Sequence, residues 1–538
     1  MAMMDVPLNS WMLFEHAPRY FADTEIVTRT VAGDRHAYTY GDFGRRTRRL
    51  MHALDRLGID RGERVATLAW NGYRHLECYF AVPCTARVLH TLNLRLSPED
   101  LGFIISHADD RAILVDADLL PLLEKVAASG GLEGVRHVIV LDDEVPATSL
   151  PGVVAYEELI GAESDDYERI DIPESTPLGL CYTSGTTGRP KGVVYTHRST
   201  LLHSLTASSG LGVRIGPDDC VLPVVPMFHA NAWGLPHAAT LMGAKQVFFA
   251  GALEPAPLAQ LLVDERVTVA AGVPTIWLGL ADELARRGGR LEHLRHLACG
   301  GSQPPRALIE RYLREFGIPI VQAWGMTETS PLASMAWPKE KMADWSDDEV
   351  TSSVRTQAGL PMPCIDVTIR DDEGDEVAWD GETMGNLLVR GPWVVDSYLH
   401  GDGAEQFTDD GWFRTGDVAV GSPEGYFVIA DRTKDLIKSG GEWISSVDME
   451  AALMAMDGVV EAAVVAVPDE RWSERPLACV VPAPGVEITI AAVHAHLLAS
   501  GFAKWQLPDR MELIDEVPKT TVGKFDKKVL RGRFADVG

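Results

Sequence analysis

One loop rich in glycine and hydroxyl groups, residues 182–192, constrains the fold of this 538-residue chain more than any other stretch. It reads YTSGTTGRPKG and lies between two apolar runs, 178–181 and 193–195. Glycine tolerates positive φ, so the backbone N–H groups of such a loop can turn inward and, with the hydroxyls and the lysine, surround a polyphosphate. An ordinary turn is the alternative, but the density of donors and the closing Pro-Lys-Gly favour a phosphate loop.

The loop differs from a Walker A loop, in which a lysine directly follows the second glycine and precedes Ser or Thr. Here Arg189 and Pro190 stand between Gly188 and the lysine, and Gly192 follows that lysine. The sequence therefore predicts a phosphate loop of a different class.

Apolar strands alternate with helical stretches on both sides of the loop. Strand-like runs at 64–70 and 86–92 are followed by a helix start, with Ser97 as N-cap and Pro98 at the first helical position. This alternation predicts an α/β fold, in which a large N-terminal domain contains doubly wound, parallel sheets. From 357 the pattern changes to short, turn-rich strands, which predicts a β subdomain over about 357–430.

A charged run at 430–435 follows the last of these strands. About a hundred residues remain, and they contain apolar elements of their own. The sequence therefore predicts an N-terminal domain over 1–430 and a small, mobile α/β domain over 431–538. A solvated surface turn is the alternative reading of the run.

Composition excludes several classes of partner. Asp and Glu outnumber Lys and Arg by 77 to 49, giving a net charge of −28, which leaves no basic footprint for nucleic acid and allows at most peripheral membrane contact. Seven scattered cysteines without CxxC spacing argue against a zinc site or a disulfide scaffold. With no signal-peptide pattern and no run long enough to span a membrane, we expect a cytoplasmic protein.

The loop resembles the phosphate loop of the adenylate-forming superfamily, which includes acyl-CoA synthetases, luciferases and the adenylation domains of peptide synthetases. Other segments resemble this superfamily in the right order over roughly 10–530. PMFHANAWG at 226–234 and SGGEWISSV at 439–447 are similar to bacterial medium- and long-chain fatty-acyl-CoA synthetases. The resemblance implies that ATP activates a carboxylic acid to acyl-AMP and pyrophosphate, and that the acyl group then passes to the thiol of coenzyme A.

The resemblance also implies an ATP site that uses Mg²⁺. Glu328 and Thr183 would hold the ion and act as catalytic residues, since Mg²⁺ takes few protein oxygens beside phosphate oxygens. Trp324 would lie against adenine, and Asp417 would bind the ribose hydroxyls with help from Arg432. The other implied ATP- and AMP-binding residues are Ser184, Gly185, Thr186, Thr187, Gly188, Lys191, Gly300, Gly301, Ser302, Gln322, Ala323, Gly325, Met326 and Thr327.

Two further catalytic residues are implied at the acid. Lys524, in a Pro-Lys-Thr-x-x-Gly-Lys context, would bridge the substrate carboxylate and the ATP phosphates, and His229 would lie beside the carboxylate. Trp233 would gate the acyl tunnel, with a core aromatic as the alternative, and Gly325 and Pro331 would complete the acyl site. The segment around His229 contains no basic residue that would suggest a charged acyl chain, so we expect an apolar acid.

In the superfamily the small domain rotates between the two steps, and Asp431 resembles the hinge residue. Rotation would withdraw Lys524 and bring up the lining of the coenzyme A channel, which is similar here at Lys434, Lys438, Gly440, Gly441, Glu442 and Trp443. Because the closest branch forms dimers, the resemblance also implies a homodimer.

Three classes of function stay open. The first is an acyl-CoA ligase, and the second is a free-standing adenylation enzyme that loads a carrier protein, which would be a separate partner because the chain has no Asp-Ser-Leu attachment site. The third is a luciferase-like oxidase or a silent binding protein, which the full set of catalytic residues disfavours. The acid also stays open among medium- and long-chain fatty, polycyclic, aryl and short thioether acids.

Overall fold

A computed structural model describes residues 3–183, 189–288, 291–439, 442–469, 471–519 and 525–534. The strands within these ranges, in chain order, are β1 (Glu25–Arg29), β2 (Arg35–Thr39), β3 (Arg64–Leu68), β4 (Val88–Thr91), β5 (Asp110–Val115), β6 (His137–Val140), β7 (Val154–Ala155), β8 (Pro177–Tyr182), β9 (Gly192–Thr196), β10 (Cys220–Pro223), β11 (Lys245–Phe249), β12 (Val269–Gly272), β13 (His296–Cys299), β14 (Ile320–Gly325), β15 (Leu332–Met335), β16 (Leu360–Pro361), β17 (Asp366–Arg370), β18 (Met384–Arg390), β19 (Phe413–Gly421), β20 (Phe427–Arg432), β21 (Ile437–Ser439), β22 (Glu442–Ile444), β23 (Val459–Asp469), β24 (Ser473–Pro482) and β25 (Arg510–Leu513).

The helices of the same ranges are α1 (Ser10–Tyr20), α2 (Tyr40–Arg56), α3 (Tyr73–Cys84), α4 (Pro98–Ala108), α5 (Leu120–Ala128), α6 (Tyr156–Gly161), α7 (His197–Ser208), α8 (Ala230–Trp233), α9 (Leu235–Met242), α10 (Pro255–Asp264), α11 (Pro274–Arg287), α12 (Arg306–Arg311), α13 (Asp347–Val350), α14 (Ser446–Met454), α15 (Ile490–Ala499) and α16 (Lys527–Phe534). The predicted helix start after Ser97 is confirmed, because the Ser97 hydroxyl accepts from the N–H of Asp100. One member of the list, α8, is left-handed and belongs to the candidate site.

Two large sheets form the frame of the N-terminal region. In the described residues the first has the order β7-β6-β5-β3-β4-β8-β9, and its neighbours are parallel except for the pair β8 and β9. The second has the order β16-β15-β14-β13-β12-β10-β11-β1-β2, with antiparallel strands at its two edges only. The prediction of doubly wound α/β sheets is therefore confirmed, with antiparallel edge strands added.

The phosphate loop connects the two antiparallel strands β8 and β9, whose register sets Tyr182 opposite Gly192. Residues 184–188 of this loop lie outside the described ranges. The ends of the loop are fixed, since β8 is paired with β4 on its other side.

A separate antiparallel sheet, β17-β18-β19-β20, forms the predicted β subdomain. Its last strand continues to Arg432, two residues past the end predicted at 430. The reason is the pairing of β19 with β20, in which Asp417 lies opposite Arg432 and Val418 opposite Asp431. The hinge candidate therefore lies inside the last strand of this sheet.

Residues 437–513 form a small sheet of their own in the described chain, with the order β22-β21-β24-β23 and with β25 beside β24. One core of this unit includes Ile437, Leu453 and Val464, and a second includes Val465 and Leu530. A unit with its own apolar cores is what the composition of the last hundred residues predicts.

No helix in the described ranges has the length and apolarity needed to cross a membrane. All seven cysteines are free thiols, and only Cys364 among them is exposed.

Candidate functional site

A chain of contacts joins the phosphate loop to the segment that follows β14. The N–H of Thr183 donates to the carbonyl of Lys191 at 3.0 Å, and the N–H of Lys191 donates to Thr183 Oγ1 at 3.1 Å. The ammonium of Lys191 lies 5.1 Å from the ring centroid of Tyr398, whose hydroxyl donates to Glu328 Oε1 at 2.7 Å. The two candidate metal ligands, Thr183 and Glu328, therefore belong to one connected cluster.

Glu328 is nearly buried, and its surroundings hold it in place. Its carbonyl accepts from the N–H of Val395 at 2.9 Å, and the carbonyl of Thr327 accepts from the hydroxyl of Tyr195 at 2.8 Å. Burial, followed by the charge of Glu328, raises the pKa of Tyr398 far above its usual range. Tyr398 is therefore a neutral, permanent hydrogen-bond donor to this carboxylate.

The donor set suits Mg²⁺, because a hydroxyl and a carboxylate supply the hard oxygen ligands that this ion prefers. Thr183 and Glu328 are the residues that would hold it, with the remaining positions left for phosphate oxygens and water. The nearby ammonium of Lys191 lies 3.3 Å from Glu405 Oε1. Because this pair is largely exposed, it is weakly held and can be exchanged for a phosphate.

The nucleoside end of the site is built around Asp417. This carboxylate is 3% exposed, and it accepts from the indole N–H of Trp324 at 3.1 Å and from Arg432 Nε at 2.7 Å. The ring of Trp324 makes an edge contact with Phe427, with centroids 5.5 Å apart. The structure therefore brings together the three residues assigned to adenosine.

The glycine-rich loop after β13 lies against both Trp233 and β14. A Cβ placed on Gly300 would lie 2.9 Å from the carbonyl oxygen of Ala323 and 3.0 Å from Trp233 Cη2. Only glycine fits this approach, and Gly301 has a φ of +81°. Within the described chain the buried Gln322 Oε1 has no hydrogen-bond partner, which marks a polar atom that a ligand could satisfy.

Gly325 and Pro331, both assigned to the acyl site, are in direct contact. A Cβ on Gly325 would lie 1.8 Å from the carbonyl oxygen of Pro331, and the same oxygen accepts from the N–H of Met326 at 3.2 Å. The register of β14 against β15 shifts at this glycine. This irregularity lies three residues before Glu328.

Asn71 and Tyr79 hold the segment that leads to His229. The amide of Asn71 donates to the carbonyls of Pro223 and Val225 at 3.0 and 2.9 Å, and its oxygen accepts from the N–H of Met227 at 2.6 Å. The hydroxyl of Tyr79 donates to the carbonyl of Met227. These bonds fix the backbone two residues before His229.

The chain after His229 forms the left-handed turn α8. Ala230, Asn231, Ala232 and Trp233 have φ values of +43°, +53°, +50° and +56°, and Gly234 has +72°. Left-handed backbone costs an L-residue roughly 1–2 kcal/mol, and Asn tolerates it better than Ala or Trp. Strain of this kind persists where the surroundings enforce it, and functional sites are a common place for it.

His203 closes the space beside this turn. A Cβ on Gly234 would lie 2.6 Å from its ring, and its Nε2 accepts from the N–H of Leu332 at 3.2 Å. Burial lowers the pKa of His203 to about 3, and the neighbouring His237 lowers it by a smaller amount. The ring is therefore a neutral acceptor that links the left-handed turn at 230–234 to β15.

The small-domain candidates lie beyond Asp431. The ammonium of Lys438 lies 4.7 Å from the ring centroid of Trp443, and burial lowers the pKa of Lys434. No hydrogen bond or ion pair among the described residues joins Lys438 or Trp443 to Asp417. For Glu442 the structure describes only its place in β22, and the candidates that lie outside the described residues are Ser184, Gly185, Thr186, Thr187, Gly188, Gly440, Gly441 and Lys524.

Sequence reasoning missed several residues that shape the site. Tyr398 and Glu405 lie in an irregular segment with no local signal, and their contacts with Glu328 and Lys191 are long-range. Asn71 offered a usable signal, because it is a polar residue just after the carboxyl end of β3, where ligands of open α/β sheets bind.

Comparison with known proteins gives the family. The family model of the AMP-binding enzymes matches residues 14–399, and that of the AMP-binding enzyme C-terminal domain matches residues 448–524. The chain belongs to the AMP-binding enzyme family.

Two curated relatives match the chain over nearly its whole length. It is 49% identical to a long-chain-fatty-acid–CoA ligase of Thermus thermophilus, over 99% of this chain and 96% of the relative. It is 40% identical to a medium-chain-fatty-acid–CoA ligase of Ectopseudomonas oleovorans, over 99% of this chain and 97% of the relative. Among solved structures, ATP-bound MatB from Rhodopseudomonas palustris superposes with a TM-score of 0.83 at 26% identity, over 98% of this chain and 99% of that one.

Replacing Asn71 with Ala tests whether the 223–227 backbone positions the acid. The change removes three hydrogen bonds and leaves buried backbone groups unpaired, which costs about 1–3 kcal/mol each. We expect kcat/KM for the acid to fall at least about tenfold, while the KM for ATP changes less than about threefold. Acid-dependent ATP–pyrophosphate exchange measures both, with Asn386→Ala as the control. Equal losses for acid and ATP would contradict a role in acid placement.

Proposed function

We propose that this chain is an ATP-dependent, AMP-forming acyl-CoA ligase for an apolar carboxylic acid of the medium- or long-chain fatty type. The observation that carries the proposal is the close approach of Gly300 to Trp233 on one side and to Ala323 on the other, because it sets the candidate mouth of the acyl site against the candidate nucleotide site. The family match and the two curated relatives, each named as a fatty-acid CoA ligase, support the same reaction.

The reaction has two half-reactions. In the first, a carboxylate oxygen attacks the α-phosphorus of ATP, the bond from that phosphorus to the bridging oxygen of the β-phosphate breaks, and acyl-AMP and pyrophosphate form. In the second, the deprotonated thiol of coenzyme A attacks the acyl carbon, so that a thioester forms and AMP leaves with one of the carboxylate oxygens. The first step joins two anions, so the site must offset their charge.

We assign the nucleoside to Asp417, Arg432 and Trp324. Asp417 can accept from both ribose hydroxyls, because each carboxylate oxygen can accept a further hydrogen bond beside the indole N–H or the guanidinium that it already binds. Trp324 offers its face to adenine. The phosphates go to the loop after β8, to Lys191 and to Thr327, where donors meet anionic oxygens.

Thr183 and Glu328 are assigned as the residues that hold Mg²⁺, which when bound offsets charge on the phosphates. His229 is assigned to the substrate carboxylate, since its backbone is fixed through the bond of its N–H to Pro226 O at 3.0 Å. Lys524 is assigned the ammonium that bridges carboxylate and phosphate. A compact, flexible ammonium suits that task better than a planar guanidinium.

The small domain carries the second half-reaction in this proposal. We take the domains as 1–430 and 431–538, with the hinge at Asp431, and the coenzyme A channel as Lys434, Lys438 and 440–443. Rotation at the hinge would exchange Lys524 for this channel, which is an established way to reuse one site.

An apolar acid follows from the surroundings of Trp233. This side chain is partly buried against an apolar core cluster that includes Ala298, Val321 and Leu332. A cluster of this kind stabilises an alkyl chain by burial but offers no partner for a charged one.

A panel of acids tests the proposal directly. Pyrophosphate release is measured with acetate, octanoate, palmitate, benzoate and a polycyclic acid, each with and without coenzyme A. Sustained release with octanoate or palmitate that requires coenzyme A is the expected result. Pyrophosphate release that does not depend on coenzyme A would point to a carrier-protein acceptor. Turnover with only aryl or polycyclic acids would overturn the fatty-acid assignment.

Replacing Lys524 with Ala should separate the two half-reactions. Acyl-AMP formation should fall on the order of 100-fold or more, as expected for loss of a charge aimed at the transition state. Thioester formation from supplied acyl-AMP should stay near the wild-type rate. Lys528→Ala, an exposed lysine on α16, is the control, and equal loss of both half-reactions in Lys524→Ala would refute the assigned role.

Replacing Trp233 with Ala should alter the choice of acid. We expect the ratio of kcat/KM for palmitate to that for octanoate to change by about tenfold or more, because each buried CH₂ contributes about 0.8 kcal/mol. The KM for ATP should change little. Trp324→Ala is the reciprocal control and should raise the KM for ATP while preserving the palmitate-to-octanoate ratio. A Trp233 variant that weakens only ATP binding would contradict the assignment of Trp233 as the gate of the acyl tunnel.

We also propose a cytoplasmic homodimer, on the resemblance to the fatty-acyl-CoA synthetase branch and on the reduced cysteines. Light scattering should then give twice the chain mass of 58.7 kDa. A monomeric mass would refute the dimer.

A further inference from the structure

A cluster of buried polar side chains lies where the small domain meets the hinge, apart from the nucleotide site. Its members are Asp431 on β20, Ser446 and Glu450 on α14, and Lys527 on α16. Asp431, Ser446 and Glu450 are 1%, 0% and 6% exposed, and the side chain of Lys527 is 10% exposed. Buried charges are rare unless they are paired, so each charge in this cluster needs a partner. The reaction described so far gives this cluster no role.

The four side chains form one hydrogen-bonded relay. Lys527 Nζ donates to Ser446 Oγ at 2.5 Å, and Ser446 Oγ donates to Asp431 Oδ2 at 2.6 Å. The same Oδ2 accepts from the Ser446 N–H at 2.6 Å. Lys527 Nζ also lies 2.8 Å from Glu450 Oε1, which accepts from the N–H of Val464 on β23 at 2.7 Å. The relay therefore links the hinge strand, α14, β23 and α16.

The charges of the cluster depend on one another. Burial by itself lowers the pKa of Lys527, but the charges of Glu450 and Asp431 outweigh it and raise that pKa. Burial raises the pKa of Glu450, and the nearby ammonium offsets part of this effect. Lys527 is therefore a permanent cation that stabilises both buried carboxylates.

A second contact ties the same helix to the chain just past the hinge. Arg531 lies one turn after Lys527, and its guanidinium pairs with Asp435 and donates to the carbonyl of Lys434 at 3.2 Å. On its other side α16 buries Leu530 in the apolar core formed with Val465. The first turns of α16 are thus held on two sides.

Adjacent hinge residues send their side chains to opposite domains. The Asp431 carboxylate binds Ser446 of the small domain, whereas Arg432 binds Asp417 of the large domain at 2.7 Å. Asp431 itself is paired with Val418 in the sheet of the large domain, so rotation between these two residues would leave Asp431 behind and move Ser446 and Lys527 with the small domain. The bond from Ser446 to Asp431 therefore belongs to one arrangement of the two domains. Lys527 lies only three residues after Lys524 in the sequence.

We propose that Lys527 is a positioning residue for the adenylation half-reaction: it ties the start of α16, three residues after Lys524 in the sequence, to the hinge carboxylate Asp431 through Ser446 and to α14 through Glu450. This inference rests on the proposed function, because it assumes that Lys524 has the role assigned to it above. Only adenylation needs Lys524 at the active site. The placement set by Lys527 therefore affects one half-reaction and not the other.

Lys527→Met, in the full chain, tests the inference, because it keeps the length of the side chain and removes the charge. We expect acyl-AMP formation to fall at least tenfold through kcat, with the KM for ATP changed less than threefold. Thioester formation from supplied acyl-AMP should stay within twofold of the wild type. Lys527→Arg should restore most of the adenylation rate, since a guanidinium can still donate to Ser446 and Glu450.

Lys528→Met is the matched control, because it removes an exposed lysine from the next position of the same helix and should leave both half-reactions within twofold. If the single variant folds poorly, Lys527→Met/Glu450→Gln removes the unpaired carboxylate as well and should show the same split.

Equal loss of both half-reactions in a folded variant, or adenylation at the control's rate, would overturn the inference. A failure of the proposed function appears elsewhere, as a wild-type protein that forms no acyl-AMP from any acid.

Discussion

The ion pair between Arg432 and Asp417 is the interaction on which the rest of the arrangement depends. Asp417 is buried, and an unpaired charge in its position would cost several kcal/mol. Its partners are an indole N–H from β14 and a guanidinium from the last residue of β20. The same short contact therefore fixes the floor of the nucleoside site and the strand that leads into the small domain.

The charges of the site follow a consistent pattern. The anions Asp417 and Glu328 are buried and each accepts from a neutral donor, whereas the cations Lys191 and Arg432 are 31% and 41% exposed and can reach an incoming ligand. Fixed anions and adjustable cations suit a site that must receive a polyanionic ligand on a chain with a net charge of −28. The exposed pair with Glu405 contributes little stability, so exchanging it for phosphate costs little.

The fold class could be predicted from sequence, because it depends on local patterns. The same kind of local pattern supplies the site assignments, which stay predictions. The glycines at 300 and 325 are explained by close contacts that only a missing Cβ permits, and the α/β alternation survives as two doubly wound sheets. Partners from distant segments could not be predicted: nothing near Tyr398 points to Glu328, and nothing near Lys527 points to Asp431.

Two further features lie beyond local propensity. The left-handed turn at 230–234 is built largely from Ala, Asn and Trp, residues that a propensity argument would place in a right-handed helix or a strand. In the folded chain Trp233 lies close to Gly300 and His203 lies close to Gly234, and both contacts come from distant segments. The end of the last strand also depends on a distant partner, since β20 runs to Arg432, which pairs with Asp417.

The central claim is that a carboxylate oxygen of the acid becomes bonded to the α-phosphorus of ATP. Octanoate labelled with ¹⁸O in both carboxylate positions, incubated with the enzyme, ATP, Mg²⁺ and coenzyme A, tests it most directly by mass spectrometry of the products. The account predicts one ¹⁸O in each AMP and none in pyrophosphate. Unlabelled AMP, or label in inorganic phosphate, would contradict it.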